Sequence, residues 1–193
     1  MSTSAEPRAR RVPGEEGVWV FILGDMSVFA LIFGAFLYER GQQPEVFAAS
    51  LRELHVAFGA VNTVVLLTSS LFVALAVQAY RRRAARAATR LVSGAICCAL
   101  LFITLKGFEW SQLLRAGLDP STNHFFTYYF AITGLHLLHL CLGLGGLVFL
   151  RRVIRRATSE QRDTLIVEAG ASYWHMVDLL WVVIFPLVYF SAT

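Results

Sequence analysis

Charge is scarce in this 193-residue chain: Asp, Glu, Lys and Arg make up only 16% of it, whereas 56% is hydrophobic. Soluble domains carry about a quarter charged residues, so the composition excludes an ordinary soluble protein and indicates a membrane protein. The positive charge is almost all arginine, with Lys106 as the single lysine, and it lies in short clusters between apolar runs. That distribution is typical of loops at a lipid headgroup surface and argues against nucleic-acid binding.

Cysteine is scarce too. Cys97 and Cys98 are adjacent within one apolar run, and Cys141 lies in another. Neighbouring helix positions point about 100° apart, and no pair has the Cys-x-x-Cys spacing of a metal or redox site. We therefore expect the three cysteines to be small buried residues.

Five long apolar runs dominate the sequence, at about 17–38, 56–79, 91–115, 125–150 and 169–191. Each run is long enough to cross a bilayer. Because lipid offers no hydrogen-bond partners to the backbone, a spanning segment that is not part of a closed barrel must form a helix. The sequence thus predicts an all-α membrane protein with five transmembrane helices in one domain, residues 17–193, after a polar tail, residues 1–16. The first run is too long for a signal-peptide core and lacks a small-x-small cleavage site, so we expect it to be retained.

The number of arginines alternates between high and low in successive connections between the apolar runs. The N-terminal tail and the second and fourth connections hold thirteen arginines, whereas the other connections and the C-terminus hold three. By the positive-inside rule, this pattern predicts a cytoplasmic N-terminus and a periplasmic C-terminus.

Five polar side chains interrupt the apolar runs at similar depth. A carboxylate within the membrane, such as Asp25, costs a few kcal/mol or more and needs a partner. At about 1.5 Å per residue, Asp25, His136, His139, His175 and Asp178 fall in one band within the cytoplasmic half. The two histidines of the fourth run are i,i+3, as are His175 and Asp178, so each pair shares a helix face. We predict a structural polar network of these residues around the buried carboxylate of Asp25.

Small residues accompany this band. Thr133, Gly143 and Gly146 continue the stripe of the fourth run, and Ala30 and Gly34 follow Asp25 on the first. Such residues let a neighbouring helix approach closely.

A second polar group, formed by Asn62, Lys106 and Glu109, is predicted in the outer half. Lys106 and Glu109 are i,i+3, so we expect an ion pair near the outer surface, with Lys106 snorkelling towards it.

The inner band is compatible with several functions. The groups could satisfy one another and fix helix packing, since interhelical hydrogen bonds of this kind are worth about 0.6–2 kcal/mol. Histidines from facing helices could ligate a metal or a haem. A chain of carboxylates and histidines could carry protons. The residues alone leave these alternatives open.

Three segments carry a family resemblance. "YWHMVDLLW", "TGLHLLHLCLG" and "KGFEW" resemble, in this order from the C-terminus backwards, motifs of subunit III of the haem-copper oxidases. The resemblance extends from residue 17 to about residue 189, and the length is similar to that of short bacterial members, which lack the first two of seven helices. The matching motif positions include Trp110, Thr133, Gly134, Gly143, Tyr173, Trp174 and Trp181.

The resemblance implies a non-catalytic subunit of the bacterial inner membrane. Such a subunit packs beside the catalytic subunit, binds phospholipid in a cleft between helices, and supports sustained turnover and proton uptake. The resemblance implies that haem and copper lie only on the partner subunit and that this chain has no metal site and no catalytic residue. It also implies that Asp25 lies beside the lipid cleft.

One segment resembles a particular branch of that family. "GVWVFILGDMSVFALIF" has Gly-Asp where oxidase members usually have Ser-Glu, and it is more similar to the branch encoded with nitric oxide reductases. The alternatives are a free-standing membrane cytochrome or metalloprotein that uses His136, His139 and His175, and a small proton-conducting transporter.

Overall fold

The computed structural model describes residues 16–156 and 164–190, which form six helices. The helices are α1 (Glu16–Gln42), α2 (Pro44–Leu51), α3 (Val56–Arg81), α4 (Ala85–Arg115), α5 (His124–Arg156) and α6 (Thr164–Tyr189). All but α2 contain a segment long and apolar enough to cross a membrane, which confirms the prediction of five spans. The predicted polar tail lies outside the described residues, apart from Glu16.

Helix α2 was not predicted, because its 8 residues form neither a span nor a long periodic pattern. Pro44 suits its first turn, where a backbone N–H has no helical acceptor. Its buried Phe47 meets Phe36 of α1 and Phe125 of α5 edge to face, at ring-centroid distances of 5.4 and 5.5 Å. The short helix thereby joins the end of α1 to the main bundle.

The helices extend beyond the predicted apolar runs at the arginine-rich end of the bundle. Helix α4 begins at Ala85 rather than residue 91, α5 continues to Arg156, and α6 begins at Thr164. Arginine is a good helix former and keeps its charge in water while its stem covers apolar surface. Hydropathy therefore underestimates helix length where arginines follow an apolar run.

Four helices form a closed bundle, with α3 between α4 and α6, and α5 between the same two helices on the opposite side. Helix α1 packs on the outside against α5 and α6. It buries one stripe of Ile22, Phe29 and Phe36, which are seven residues apart, and leaves Leu23 and Leu31 exposed. A seven-residue repeat is about two helical turns, so α1 uses a single narrow face.

The cysteines differ from the expectation of burial. Cys97 and Cys141 are exposed, and Cys98 is intermediate. In lipid the outward face of a helix is as apolar as the inward face, so hydropathy does not identify which side a small residue occupies.

A tight turn joins α3 to α4 and places arginines at the bundle end. Arg83 adopts a left-handed conformation with φ 64°, and the Ala84 N–H donates to the carbonyl of Ala79 over 2.9 Å. This bond closes the end of α3 and lets α4 return antiparallel.

Candidate functional site

The most completely bonded polar group lies where α4, α5 and α6 meet. The Lys106 ammonium is 3.0 Å from Glu109 Oε2, from the Tyr129 hydroxyl and from the Tyr189 hydroxyl. An ammonium has three donors, and these acceptors use all of them. We call Lys106, Glu109, Tyr129 and Tyr189 the lysine cluster.

The lysine cluster is buried. Lys106 is 1% exposed and Glu109 2%. The predicted ion pair is confirmed at 3.0 Å, but the prediction that Lys106 snorkels outward is wrong. Lys106 points inward because two tyrosine hydroxyls and the rings of Tyr129 and Trp181, at 4.7 and 5.2 Å, solvate its charge there.

The two tyrosines of the cluster were missed by sequence reasoning. The Tyr189 hydroxyl accepts from Lys106 and donates to Glu109 Oε1 over 2.5 Å, so both carboxylate oxygens are bonded. A buried tyrosine usually finds a partner for its hydroxyl, so tyrosines within the spans were the available signal.

Asn62 does not join this cluster. It is buried on α3, and no hydrogen bond from the described part of the chain reaches its amide. Its neighbour Thr63 accepts a bond of 3.1 Å from the Trp181 indole N–H, which ties α3 to α6.

Asp25 meets His139. Its Oδ2 lies 3.2 Å from His139 Nε2, an ion-pair distance whose angle does not satisfy a hydrogen bond. His139 Nδ1 is 2.8 Å from the Leu135 carbonyl, which can only accept, so Nδ1 carries a hydrogen. Nε2 then faces the Asp25 carboxylate, and the side chains of Asp25 and His139 are 18% and 10% exposed.

The other predicted members of the inner band have partners other than Asp25 or no described hydrogen bond. His175 Nδ1 is 2.7 Å from the Ser70 hydroxyl of α3. Asp178 is buried without a hydrogen bond of standard geometry from the described residues. His136 is 0% exposed, and its ring lies 5.2 Å from that of Trp181 and 5.7 Å from that of Phe102. The Ser70 side chain that meets His175 also interacts with Asp178, so these two residues share a contact to α3, whereas no described hydrogen bond reaches the ring of His136.

The motif segments of α5 and α6 meet at Gly143. A Cβ there would lie 2.9 Å from Trp174 Cε3 and 3.4 Å from Tyr173 Cε1. The Tyr173 hydroxyl donates to the His139 carbonyl over 3.3 Å. Gly143 is therefore a close approach between the two helices, as its position on the predicted stripe suggests.

The predicted stripe does not continue past Gly143. No atom of the described side chains lies within 4 Å of a Cβ built on Gly146, and the same holds for Gly34 on α1, where Ala30 is also exposed. Nine residues before Gly143 on α5, a Cβ built on Gly134 would lie 3.5 Å from the Trp110 ring of α4, and Thr133 donates to the Tyr129 carbonyl over 2.6 Å.

The histidines do not converge. Within residues 16–156 and 164–190, no group of three His, Cys, Asp or Glu side chains is arranged to hold a metal ion. His136 packs on aromatic rings, His139 faces Asp25, and His175 bonds to Ser70. The arrangement is one of separate helix-to-helix contacts. Among the described residues, the charged ones are the lysine cluster, the Asp25–His139 pair and the Arg81–Glu168 pair between α3 and α6.

Known proteins place the chain in a family. A family model for cytochrome c oxidase subunit III matches residues 13–193. Cytochrome c oxidase subunit 3 of Alkalihalophilus pseudofirmus is 29% identical over 175 residues, which cover 90% of this chain and 84% of that protein. Cytochrome bo(3) ubiquinol oxidase subunit 3 of Pseudomonas aeruginosa is 26% identical over 177 residues, covering 90% and 82%.

A further relative combines two subunits in one chain. Heme-copper oxidase subunit I+III of Aeropyrum pernix is 30% identical over 178 residues, but the chain spans only 22% of its length. These relatives are named as subunits of cytochrome c and quinol oxidases, and they do not support the predicted branch associated with nitric oxide reductases. The match over residues 13–193 shows that the chain belongs to the cytochrome c oxidase subunit III family.

Proposed function

We propose that this chain is a non-catalytic subunit of a bacterial haem-copper terminal oxidase, of the cytochrome c or quinol type, in respiratory electron transport. The family match over residues 13–193 carries this proposal. The Aeropyrum pernix relative supports a catalytic subunit I as the partner, because its name combines subunits I and III in one chain. Haem and copper then belong to that partner, and electrons do not pass through this chain.

The polar groups of the chain support a role in packing rather than in chemistry. The lysine cluster and the Asp25–His139 pair each connect different helices, and His175 connects α6 to α3. Interhelical hydrogen bonds select one arrangement of helices that lipid alone would not select. The chain thus offers the catalytic subunit a rigid neighbour, and phospholipid fills the space between helices.

The orientation in the inner membrane is part of the proposal. Arg81, Arg82 and Arg83 are exposed at the α3–α4 turn, and we place this turn in the cytoplasm by the positive-inside rule. In a variant without Cys97, Cys98 and Cys141, Arg82→Cys should resist an impermeant maleimide in intact spheroplasts and react after lysis. Ser121→Cys, in the α4–α5 loop, should react before lysis. The reverse pattern would overturn the orientation.

Affinity purification in mild detergent tests the proposed function. We expect a chain without visible absorbance of its own that brings down a haem-containing catalytic subunit, and the identity of that subunit distinguishes an oxidase from a nitric oxide reductase. A chain that arrives alone with its own Soret band would instead make the histidines haem ligands. Proton flux in vesicles containing only this chain would favour the transporter.

The same preparation tests Asp25. Asp25→Asn should keep the complex intact, because asparagine has nearly the same size and its amide can donate to His139 Nε2. The variant removes the carboxylate and its capacity to exchange a proton, so we expect activity to decline during sustained turnover. Ser27→Ala, two residues away at an exposed position whose hydroxyl donates to the Leu23 carbonyl of the same helix, is the matched control. Unchanged activity of Asp25→Asn over many turnovers would limit Asp25 to packing.

A further inference from the structure

A cavity lies beside the lysine cluster, at the end of the bundle opposite the turn that joins α3 to α4. It has a volume of about 140 Å³, and the exposed polar residues of its lining, which mark its mouth, are Glu53, His55 and Gln112. Its lining also includes Glu109 of the lysine cluster, which is 2% exposed. The cavity therefore leads from exposed polar side chains to a buried carboxylate.

The cavity meets both requirements for holding water, which are room and polar partners. A cavity needs roughly 10–15 Å³ of such volume for one water molecule, and this one is several times larger. Polar groups stand at its mouth and, through Glu109, at its buried end. The walls between them are apolar and consist of Leu54, Leu113, Ala116 and Leu118. Water that enters therefore finds hydrogen-bond partners only at the two ends.

Glu109 is the member of the lysine cluster that can bond to this water. An ionised carboxylate has about four acceptor positions. Within the described residues, Lys106 uses one of them on Oε2 and Tyr189 uses one on Oε1, so acceptor positions remain. The Lys106 ammonium, by contrast, has all three donors engaged, and Lys106 does not line the cavity. Water thus reaches Lys106 by way of Glu109.

We propose that this cavity is a water path through which Glu109 exchanges protons with the water at this end of the bundle, which makes the lysine cluster a proton-exchanging site rather than a sealed ion pair. A Lys106 N–H proton passes over the 3.0 Å hydrogen bond to Glu109 Oε2, Glu109 releases it to a cavity water, and a proton from water returns by the same route. Each exchange thus restores the starting charges. The proposal depends on neither the orientation nor the catalytic partner, so it can fail while the proposed function stands. Among the described residues, the other titratable groups beside Glu109 are Lys106, Tyr129 and Tyr189 in the cluster, and Glu53 and His55 at the cavity mouth.

Hydrogen exchange at Lys106 tests the proposal, because Lys106 is the single lysine of the chain and its signals need no separation from others. The full chain is labelled with ¹⁵N-lysine and purified in mild detergent, with any partner subunit supplied unlabelled. Nuclear magnetic resonance measures exchange with water at the Lys106 ammonium and at the Lys106 backbone amide, each relative to the same group in an unfolded peptide. The amide exchanges only when α4 opens, so we expect the ammonium to be protected at least about tenfold less than the amide.

A variant that fills the cavity identifies the route. Ala116→Phe should slow exchange at the ammonium by about tenfold and leave the backbone amide unchanged. Ala60→Phe, the same substitution at an exposed position of α3 that does not line the cavity, is the matched control and should change neither rate. If Ala116→Phe does not fold, Gln112→Leu, which removes a polar group at the same mouth, should also slow the ammonium selectively.

Three results would overturn the proposal. Equal protection of the ammonium and the amide would mean that exchange requires opening of α4 and that the ion pair is sealed. An unchanged ammonium rate in Ala116→Phe would mean that water arrives by another route. Equal slowing in Ala116→Phe and Ala60→Phe would mean that the effect does not come from the cavity.

Discussion

Replacement of Lys106 by methionine is expected to destabilise the helix bundle by about 3–5 kcal/mol, the typical cost of removing one partner of a buried ion pair. Methionine has a similar length, so the packing around the stem is largely kept. Glu109, at 2% exposure, would have to stay charged without its ammonium or take up a proton, and both are unfavourable. Tyr129 would also lose the ammonium that its hydroxyl accepts from.

A double variant isolates the charge from the packing. In Lys106→Met/Glu109→Gln no charge remains, and the glutamine carbonyl still accepts from the Tyr189 hydroxyl. Because replacing a buried pair as a whole is often nearly neutral, the double variant should recover most of the stability that the single variant loses. The free energy of unfolding in mixed micelles measures both, with Thr104→Ala, an exposed position on α4, as the control. An equal loss in the single and the double variant would place the cost in packing instead.

Gly143→Ala is expected to destabilise the bundle by about 1–3 kcal/mol, the usual effect of an extra methyl group in a closely packed site. The new Cβ would lie 2.9 and 3.0 Å from two atoms of the Trp174 ring. Trp174 is 0% exposed, so the ring cannot retreat without displacing other buried side chains. Helix α6 would have to move away from α5 at the point where the two motif segments meet.

Gly146→Ala is the matched control on the same helix. No atom in the described part of the chain lies within 4 Å of its added Cβ, and alanine is the better helix former by about 1 kcal/mol. Thermal unfolding should therefore show a lower midpoint for Gly143→Ala and an unchanged or higher midpoint for Gly146→Ala. If both variants unfold at the same temperature, the contact between Gly143 and Trp174 is not tight.

The spans were predictable because the bilayer sets their length. A run of about twenty apolar residues has few alternatives to a spanning helix, whatever it packs against. The short helix α2 has no such constraint. Its place depends on Phe47, whose ring meets partners from two other helices. An eight-residue segment becomes a defined element through those contacts rather than through its own pattern.

Only part of the lysine cluster was predictable from the sequence. Helical spacing places Lys106 and Glu109 together, and the structure has them at 3.0 Å. The hydroxyls that turn Lys106 inward come from residues 23 and 83 positions away, and nothing local to "KGFEW" indicates them. Without these partners, a lysine in a transmembrane helix is expected to extend its ammonium group to the water at the membrane surface.

The sequence by itself determined the all-helical class, the five spans and, through three motifs, the family. These properties depend on segment length, hydropathy and local spacing, which need no knowledge of neighbours. Only the tertiary structure decided that Asp25 meets His139, that Gly143 rather than Gly146 receives a tryptophan, and that Cys97 and Cys141 face outward. The physical reason is that both the interior and the lipid are apolar, so the side that a residue faces is set by which helices pack together.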